Sequence, residues 1–192
     1  PRHMVVNADE GEPGTFKDRW CLETSPHRVL EGMLLAATAV GADACWIYLR
    51  DEYAHLVAPL QDAIAELLAA GLFAGPIHLR RGAGAYICGE ETALLESLEG
   101  RRGYPRHKPP FPGQVGLFGR PTLIHNVETL WWLPEIVDGG AEAFSAAGRH
   151  GRTGKRLVSV SGRVARPGAY EVPAGATAQE IIEELVGGMV AG

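Results

Sequence analysis

A chain of 192 residues is long enough to bury one substantial core and to carry the start of a second unit. A hydrophobic share of 46% and a charged share of 21% are those of an ordinary globular chain, and a formal net charge of -5 excludes a general affinity for nucleic acid or an anionic membrane surface. No run approaches the ~18 apolar residues that a membrane-spanning helix needs.

Three cysteines, Cys21, Cys45 and Cys88, form no Cys-x-x-Cys pair. Their odd number and scatter argue against a disulfide framework and for a reducing compartment. An iron–sulfur cluster held by this chain alone would need more thiolates at close spacing. Each cysteine therefore reads as a small buried hydrophobe. The histidines show no metal-ligand spacing. The 25 glycines in 192 residues exceed the typical ~7%, which implies many turns and close backbone approaches.

Residues 1–6 read as a strand rather than a signal peptide, and a start inside a strand implies a piece of a longer protein. Residues 7–15 (Asn-Ala-Asp-Glu-Gly-Glu-Pro-Gly-Thr) form a loop of turn-formers and carboxylates. Ser25-Pro26 opens a helix whose apolar face is Val29, Leu30, Met33, Leu34 and Ala37, and Gly41 closes it. Residues 44–49 are a strand, rich in aromatic and β-branched side chains. Residues 53–70 spell an amphipathic helix stopped by Gly71. Residues 77–80 are a third strand.

The most informative stretch follows: Gly82-Ala83-Gly84-Ala85-Tyr86-Ile87-Cys88-Gly89-Glu90-Glu91-Thr92-Ala93-Leu94-Leu95. Small residues lead from a strand into a helix over 92–98, with two carboxylates at its start. Glycines allow close approach of a flat ligand, and N–H groups at a helix start attract polar ligand groups. Residues 101–122 form a long basic, proline-rich connection, and loops of that length in a compact domain tend to be functional. Residues 121–130 then open a helix that runs to about 137.

Composition shifts at Gly139-Gly140 and again over 148–154. Residues 157–162 alternate apolar and polar side chains as a half-buried strand does. Residues 166–169 signal a turn, 170–173 a partner strand, and Thr177 caps a helix through Ile181, Ile182 and Leu185. The strand–helix alternation predicts an α/β fold with a parallel sheet over residues 1–150, with ligands beyond the carboxyl ends of the strands. Residues 155–192 predict the opening of a small β-grasp unit.

Four segments now stand in order: 7–15, 82–95, Lys108-Pro109-Pro110-Phe111-Pro112, and Asn126-Val127-Glu128-Thr129-Leu130. Together they resemble the NADH-binding flavoprotein subunit of respiratory complex I. That family includes the diaphorase subunits of NAD-reducing hydrogenases and NAD-dependent formate dehydrogenases. Four motifs in register form a far more specific signal than a lone Gly-x-Gly. The resemblance implies a Rossmann-like FMN-binding domain followed by a soluble-ligand-binding β-grasp (SLBB) unit.

It also implies the site. Asn7, Asp9, Gly89, Glu90 and Asn126 would line FMN, and Glu12, Glu91, Lys108 and Phe111 would contact NADH. Residue chemistry suits these roles: Phe111 can stack on adenine, Lys108 can offset dinucleotide charge, carboxylates can accept ribose hydroxyls, and the two asparagine amides can donate to flavin oxygens. No residue is expected to be catalytic in its own right, because the flavin carries the chemistry, and no metal is expected on this chain. In the family a [4Fe–4S] cluster lies downstream and a glycine-rich flavin loop upstream. The resemblance further implies a thioredoxin-like [2Fe–2S] subunit and a larger iron–sulfur subunit as partners. A bacterial cytoplasmic location goes with it, peripheral to the membrane through the complex.

Two positions depart from the pattern. His125 stands where the family usually has asparagine. Gly11 replaces a serine common in complex I members, which favours the formate dehydrogenase or hydrogenase branch. A competing reading is a non-catalytic binding or assembly fragment, since the flavin loop and the cluster domain are both missing, and the isolated chain is expected to hold FMN poorly. Plainer readings also exist for single features. Glu90 and Glu91 could only complement a helix dipole, Lys108-Pro-Pro-Phe could be a surface turn, and Trp131 and Trp132 could be core or a subunit contact.

Overall fold

The computed structural model describes residues 1–190. Four parallel strands form one sheet in the order β3-β2-β1-β4: β1 His3–Ala8, β2 Ala44–Leu49, β3 Ile77–Arg81 and β4 Thr122–Asn126. The central strands read as continuous apolar runs because both of their faces are covered. All six residues of β2 are buried, whereas the edge strands β3 and β4 are only partly so.

Between β1 and β2 run α1 (Lys17–Thr24) and α2 (Pro26–Val40). A 3-10 turn at Asp51–Leu56 leads into α3 (Val57–Ala69), which returns the chain to β3. α4 (Glu91–Leu98) follows the glycine turn. α5 (Val127–Trp131), α6 (Leu133–Gly139) and α7 (Ala141–Ser145) follow β4. The fold is thus the expected Rossmann-like α/β arrangement.

Strand alternation divides the core in two. Met4, Val6, Ala8, Cys45, Ile47 and Leu49 face α2, α3 and α5 in the main cluster, which includes Leu30, Met33, Leu60 and Leu130. Each of the Met, Val, Ile and Leu side chains, fully buried, is worth roughly 1.5–3 kcal/mol against exposure. Val5, Trp46 and Tyr48 face the other way onto a thinner layer of Leu94, Leu95 and Leu117. The three cysteines are buried and unpaired. Burial pushes the Cys45 thiol up to about 12, so it packs as an apolar group. Trp131 and Trp132 are both core residues.

One expectation about an element needs correction. Residues 121–130 do not open a helix. Residues 122–126 are strand β4, paired in parallel with β1, and the helix begins only at Val127. The apolar residues of β4 run without a break into the apolar face of α5, so one continuous pattern spans two elements. α1, by contrast, is an element that the sequence pattern did not assign.

Beyond residue 154, β5 (Lys155–Val160) and β6 (Gly168–Pro173) pair as an antiparallel hairpin. A short helix α8 (Ala178–Glu180) follows, started by a capping box between Thr177 and Glu180, and passes into a wider turn at Ile181–Leu185. Among the described residues no helix is long and apolar enough to cross a membrane.

Candidate cofactor cleft

The strand order places a topological switch at β1. The crossovers from β1 go to β2 and on to β3, while β4 returns to the opposite side of β1. Open α/β sheets bind ligands at such a point, beyond the carboxyl ends of the strands. Asn7 and Asn126 are register partners there, one at the end of β1 and one at the end of β4. A cleft of about 400 Å³ opens beside them, lined by Asn7, Asp9, Glu12, Tyr86, Glu90 and Asn126 among others.

Three segments meet to form it. Asn7 Nδ2 donates to the carbonyl of Gly89 at 2.9 Å, and Asn7 Oδ1 accepts from the Asp9 amide at 3.1 Å. One side chain therefore joins the acidic loop to the turn before α4. Asn126 Nδ2 donates to Asp18 Oδ2 at 2.6 Å and to the Asn7 carbonyl at 3.3 Å, while its Oδ1 caps α5 through Glu128 N. Asn126 thus uses both amide hydrogens inside the protein, and it shapes the wall rather than offering a donor to a ligand.

Glu90 is the N-cap of α4. Its Oε2 accepts from Thr92 N at 2.9 Å and Ala93 N at 3.0 Å, and its Oε1 lies 3.0 Å from Lys108 Nζ. Glu91 Oε1 meets the same ammonium at 2.5 Å. Burial works against the Glu90 anion, but the Thr92, Ala93 and Lys108 hydrogen bonds outweigh it and hold the carboxyl low. The hydrogen bonds that Lys108 donates to Glu91 first, and then to Glu90, hold its pKa above the ordinary value. The helix-cap reading is met at Glu90, whose side chain accepts from the first free N–H groups of α4.

Lys108 and Glu91 are joined to Glu90 through the shared ammonium but are not among the residues that line the cleft. Phe111 lies on the same loop but is exposed, and the structure does not bring its ring into the cleft lining. Asn126 lines the cleft and His125 does not. His125 is half-buried, which lowers its pKa. Gly11 allows Tyr86 to lie against the acidic loop: a Cβ at residue 11 would sit 3.0 Å from the Tyr86 ring. In that position Tyr86 Oη donates to Glu12 Oε1 at 2.7 Å.

Sequence reasoning gave no role to Glu10, Lys17, Asp18 or Tyr86. Glu10 is buried and accepts from Asp18 N at 3.0 Å, Arg19 N at 3.2 Å and Tyr53 Oη at 3.0 Å. It satisfies the free N–H groups of α1 from eight residues upstream of Asp18. Arg50 donates to the carbonyl of Glu10. Lys17 Nζ lies 2.6 Å from Asp18 Oδ1 and 3.2 Å from both Asn126 Oδ1 and Glu128 Oε2. Burial would lower the Lys17 pKa, but its carboxylate neighbours outweigh that and keep it charged.

The donor set decides what fits. Carboxylates at Asp9 and Glu12 suit hydroxyl and N–H donors on a ligand, and the Asp9 carboxylate has no hydrogen-bond partner among the described residues, whereas both oxygens of Glu90 are already engaged. Gly89 lets the backbone come close, since a Cβ there would already touch the Asp9 carbonyl at 3.3 Å. A flavin ring and its polyol chain match this set. Phosphate does not, because Lys17 and Lys108 are both committed to carboxylates. Among the described residues no group of three or more His, Cys, Asp or Glu side chains could hold a metal ion.

A parallel α/β sheet with a hydroxyl-accepting cleft at its switch point defines a flavin- or nucleotide-binding domain. The chain belongs to the family of the Nuo51 FMN-binding domain, whose model matches residues 1–135, and an SLBB domain model matches residues 157–192. It is 47% identical to an NADH-quinone oxidoreductase subunit of Rhizobium meliloti (strain 1021), over 100% of this chain and 48% of the relative. Against an NADH-quinone oxidoreductase subunit of Aquifex aeolicus (strain VF5) the identity is 47%, over 98% of this chain and 46% of the relative. A crystal structure of an NAD+-reducing [NiFe]-hydrogenase in the air-oxidised state superposes with a TM-score of 0.89 at 46% identity, covering 95% of this chain and 32% of that one. The chain spans about half the length of the curated relatives it matches.

Proposed function

We propose that this chain is part of an NADH:acceptor oxidoreductase flavoprotein subunit and forms one wall of a shared FMN and NADH cleft. The observation that carries the reading is the pairing of Asn7 with Asn126 at the sheet's switch point, beside a cleft of acceptor groups. Asn7, Asp9, Gly89, Glu90 and Asn126 would line the flavin, Asn126 by shaping the wall, and Glu12, Glu91, Lys108 and Phe111 would contact the dinucleotide. Bound FMN supplies acceptance of a hydride from a nicotinamide and onward release of electrons. The chain's own residues bind, orient and exclude water. Asn7 fixes the distance between the acidic loop and Gly89. Glu90 holds the start of α4 and pairs with Lys108. Glu91 shares that ammonium and is placed to exchange it for a ribose hydroxyl.

In the parent subunit, electrons would leave through a [4Fe–4S] cluster on a further region and then through iron–sulfur partner subunits. The residues of the cleft leave three acceptors equally open: quinone through complex I, or the formate and hydrogen couples of the diaphorase branch. The assembly-module reading draws on the phosphate, which finds no uncommitted cation among the described residues of this wall. A titration of FMN against the chain, followed by flavin fluorescence, separates the two. Weak but saturable quenching is expected, and no quenching at tens of micromolar protein rejects the catalytic reading for this chain. Glu91→Ala should weaken NADH-dependent flavin reduction about tenfold, the loss of one hydrogen bond to a charged group, and leave FMN retention unchanged. Release of FMN with normal reduction of the remainder would overturn the division of roles.

A further inference from the structure

We infer that the β5–β6 hairpin braces the cofactor cleft, with Glu128 and Ser159 as the positioning residues. The inference rests on the reading of the cleft as a flavin site only for its functional consequence. The mechanical claim stands on hydrogen bonds between remote segments.

Two clamps join the hairpin to the cleft wall. In the first, the Phe16 amide donates to Ser159 Oγ at 2.9 Å. Phe16 is the N-cap position of α1, directly between the acidic loop and Lys17. Its own side chain makes no capping hydrogen bond, so the hairpin hydroxyl satisfies an N–H that α1 leaves open. In the second, Glu128 Oε1 accepts from the Leu157 amide at 2.7 Å, while Glu128 Oε2 lies 3.2 Å from Lys17 Nζ. One carboxylate thus holds a hairpin amide with one oxygen and the cleft's part-buried ammonium with the other. Lys17 passes this on to Asn126 and Asp18, which it contacts directly.

The hairpin is also seated in the main core. Leu157 is 4% exposed and belongs to the large cluster. Lys155 Nζ pairs with Glu135 on α6 at 2.5 Å. The hairpin therefore has a fixed position from which to orient the wall. Loss of either clamp leaves a part-buried donor without its acceptor, a costly condition that the wall relieves by moving. Because the coupling is thermodynamic it is reciprocal: a ligand that orders the wall also tightens the hairpin.

The test is residue-resolved hydrogen exchange on the ligand-free chain, comparing wild type with Ser159→Ala, Ser159→Thr and Glu128→Gln. Both partners of Glu128 are donors, so an amide can satisfy only one of them. The Ala and Gln variants should raise exchange about tenfold at the amides of Asp18, Arg19 and Glu128, with the β1 and β2 amides unchanged. Threonine keeps the hydroxyl and should restore the wild-type rates. A change confined to Phe16 and Leu157 would overturn the brace, as would a uniform rise that includes β1 and β2. Should Glu128→Gln fail to fold, Ser159→Ala with its threonine rescue decides alone.

A parallel FMN titration reads the functional consequence, with an expected rise in Kd of about fivefold for Ser159→Ala. An unchanged Kd alongside faster exchange overturns the link to the cofactor. Wild-type protein that quenches no FMN rejects the flavin reading, while the exchange arm still decides the brace.

Discussion

Asp9 is the one carboxylate of the cleft wall that the described residues leave without a hydrogen-bond partner. Burial raises its pKa to about 6, with Glu52 pushing the same way and Arg50 opposing. Glu10 and Glu12 follow it on the loop, and Arg50 and Glu52 share its side pocket. Below the ordinary carboxylate range Asp9 is protonated whether the chain is folded or not. As pH rises from there towards 6 the unfolded chain releases this proton first, so the fold loses stability across that window. Asp9→Asn removes the titration. Urea melts of wild type and variant at pH 4 and pH 7 should therefore show the variant losing less stability over that interval. An equal loss in both proteins would show that Asp9 ionises freely. The ligand consequence follows from the same proton: neutral Asp9 can donate, whereas ionised Asp9 can only accept.

At the scale of elements, α2 and α5 approach so closely at Gly32 that an ideal Cβ there would lie 2.0 Å from the Leu130 carbonyl oxygen. Backbone is the obstacle, so no rotamer change relieves it. Gly32→Ala must push α5 away from α2, and α5 begins immediately after Asn126. Although alanine favours a helix interior by roughly 1 kcal/mol, the clash should win and destabilise the fold by about 1–3 kcal/mol in denaturant melts. A stabilised variant would show that α5 is free to slide. This contact was not legible in the sequence, where Gly32 sits in an otherwise regular apolar helix. Nor was α1, because its N-terminus is satisfied by Glu10 from outside any local capping spacing. β1, β2, α2 and the turn into α4 were legible, since burial on both faces, helical periodicity and a glycine-to-carboxylate sequence each leave a local mark. β4 was lost because Pro121 imitates a helix start and the strand's apolar residues merge with those of α5. The same distinction holds in the site. Asn7, Asp9, Glu90 and Asn126 stand in recognisable motifs, whereas Lys17, Asp18 and Tyr86 gain their places only when distant segments meet.

Over the whole molecule, the sheet carries a thick core on one face and a thin one on the other, and the cleft lies at the end of both. The thin face depends on the segment 101–119, which also presents Lys108 and Phe111. Arg106 ties that segment down. Its amide donates to Thr92 Oγ1 at 2.8 Å, and its guanidinium reaches Glu96 at 2.5 Å, Glu99 at 2.8 Å and the Gly116 carbonyl at 3.0 Å. Isolated surface ion pairs are worth little, but this fork is three-quarters buried and joins α4 to both ends of the loop. Arg106→Met keeps the apolar stem and removes the fork. Tyr104, Phe111 and Phe118 are already exposed on the loop, so chymotrypsin should nick the variant there about tenfold faster than wild type at neutral pH. The fragments should stay associated through the main core, which contains no part of that loop. Acid provides the matching test in the wild-type protein. Arg101 first, and then Arg106, hold the Glu96 carboxyl down at about 2. A depressed carboxyl stabilises the fold above its ordinary range, and that contribution is lost as pH falls from there towards 2. Pepsin should therefore leave the loop intact near pH 4 and cut it as the pH nears 2. Cleavage already at pH 4, or equal chymotryptic rates in wild type and Arg106→Met, would show that the loop is held by its prolines and apolar contacts rather than by the arginine.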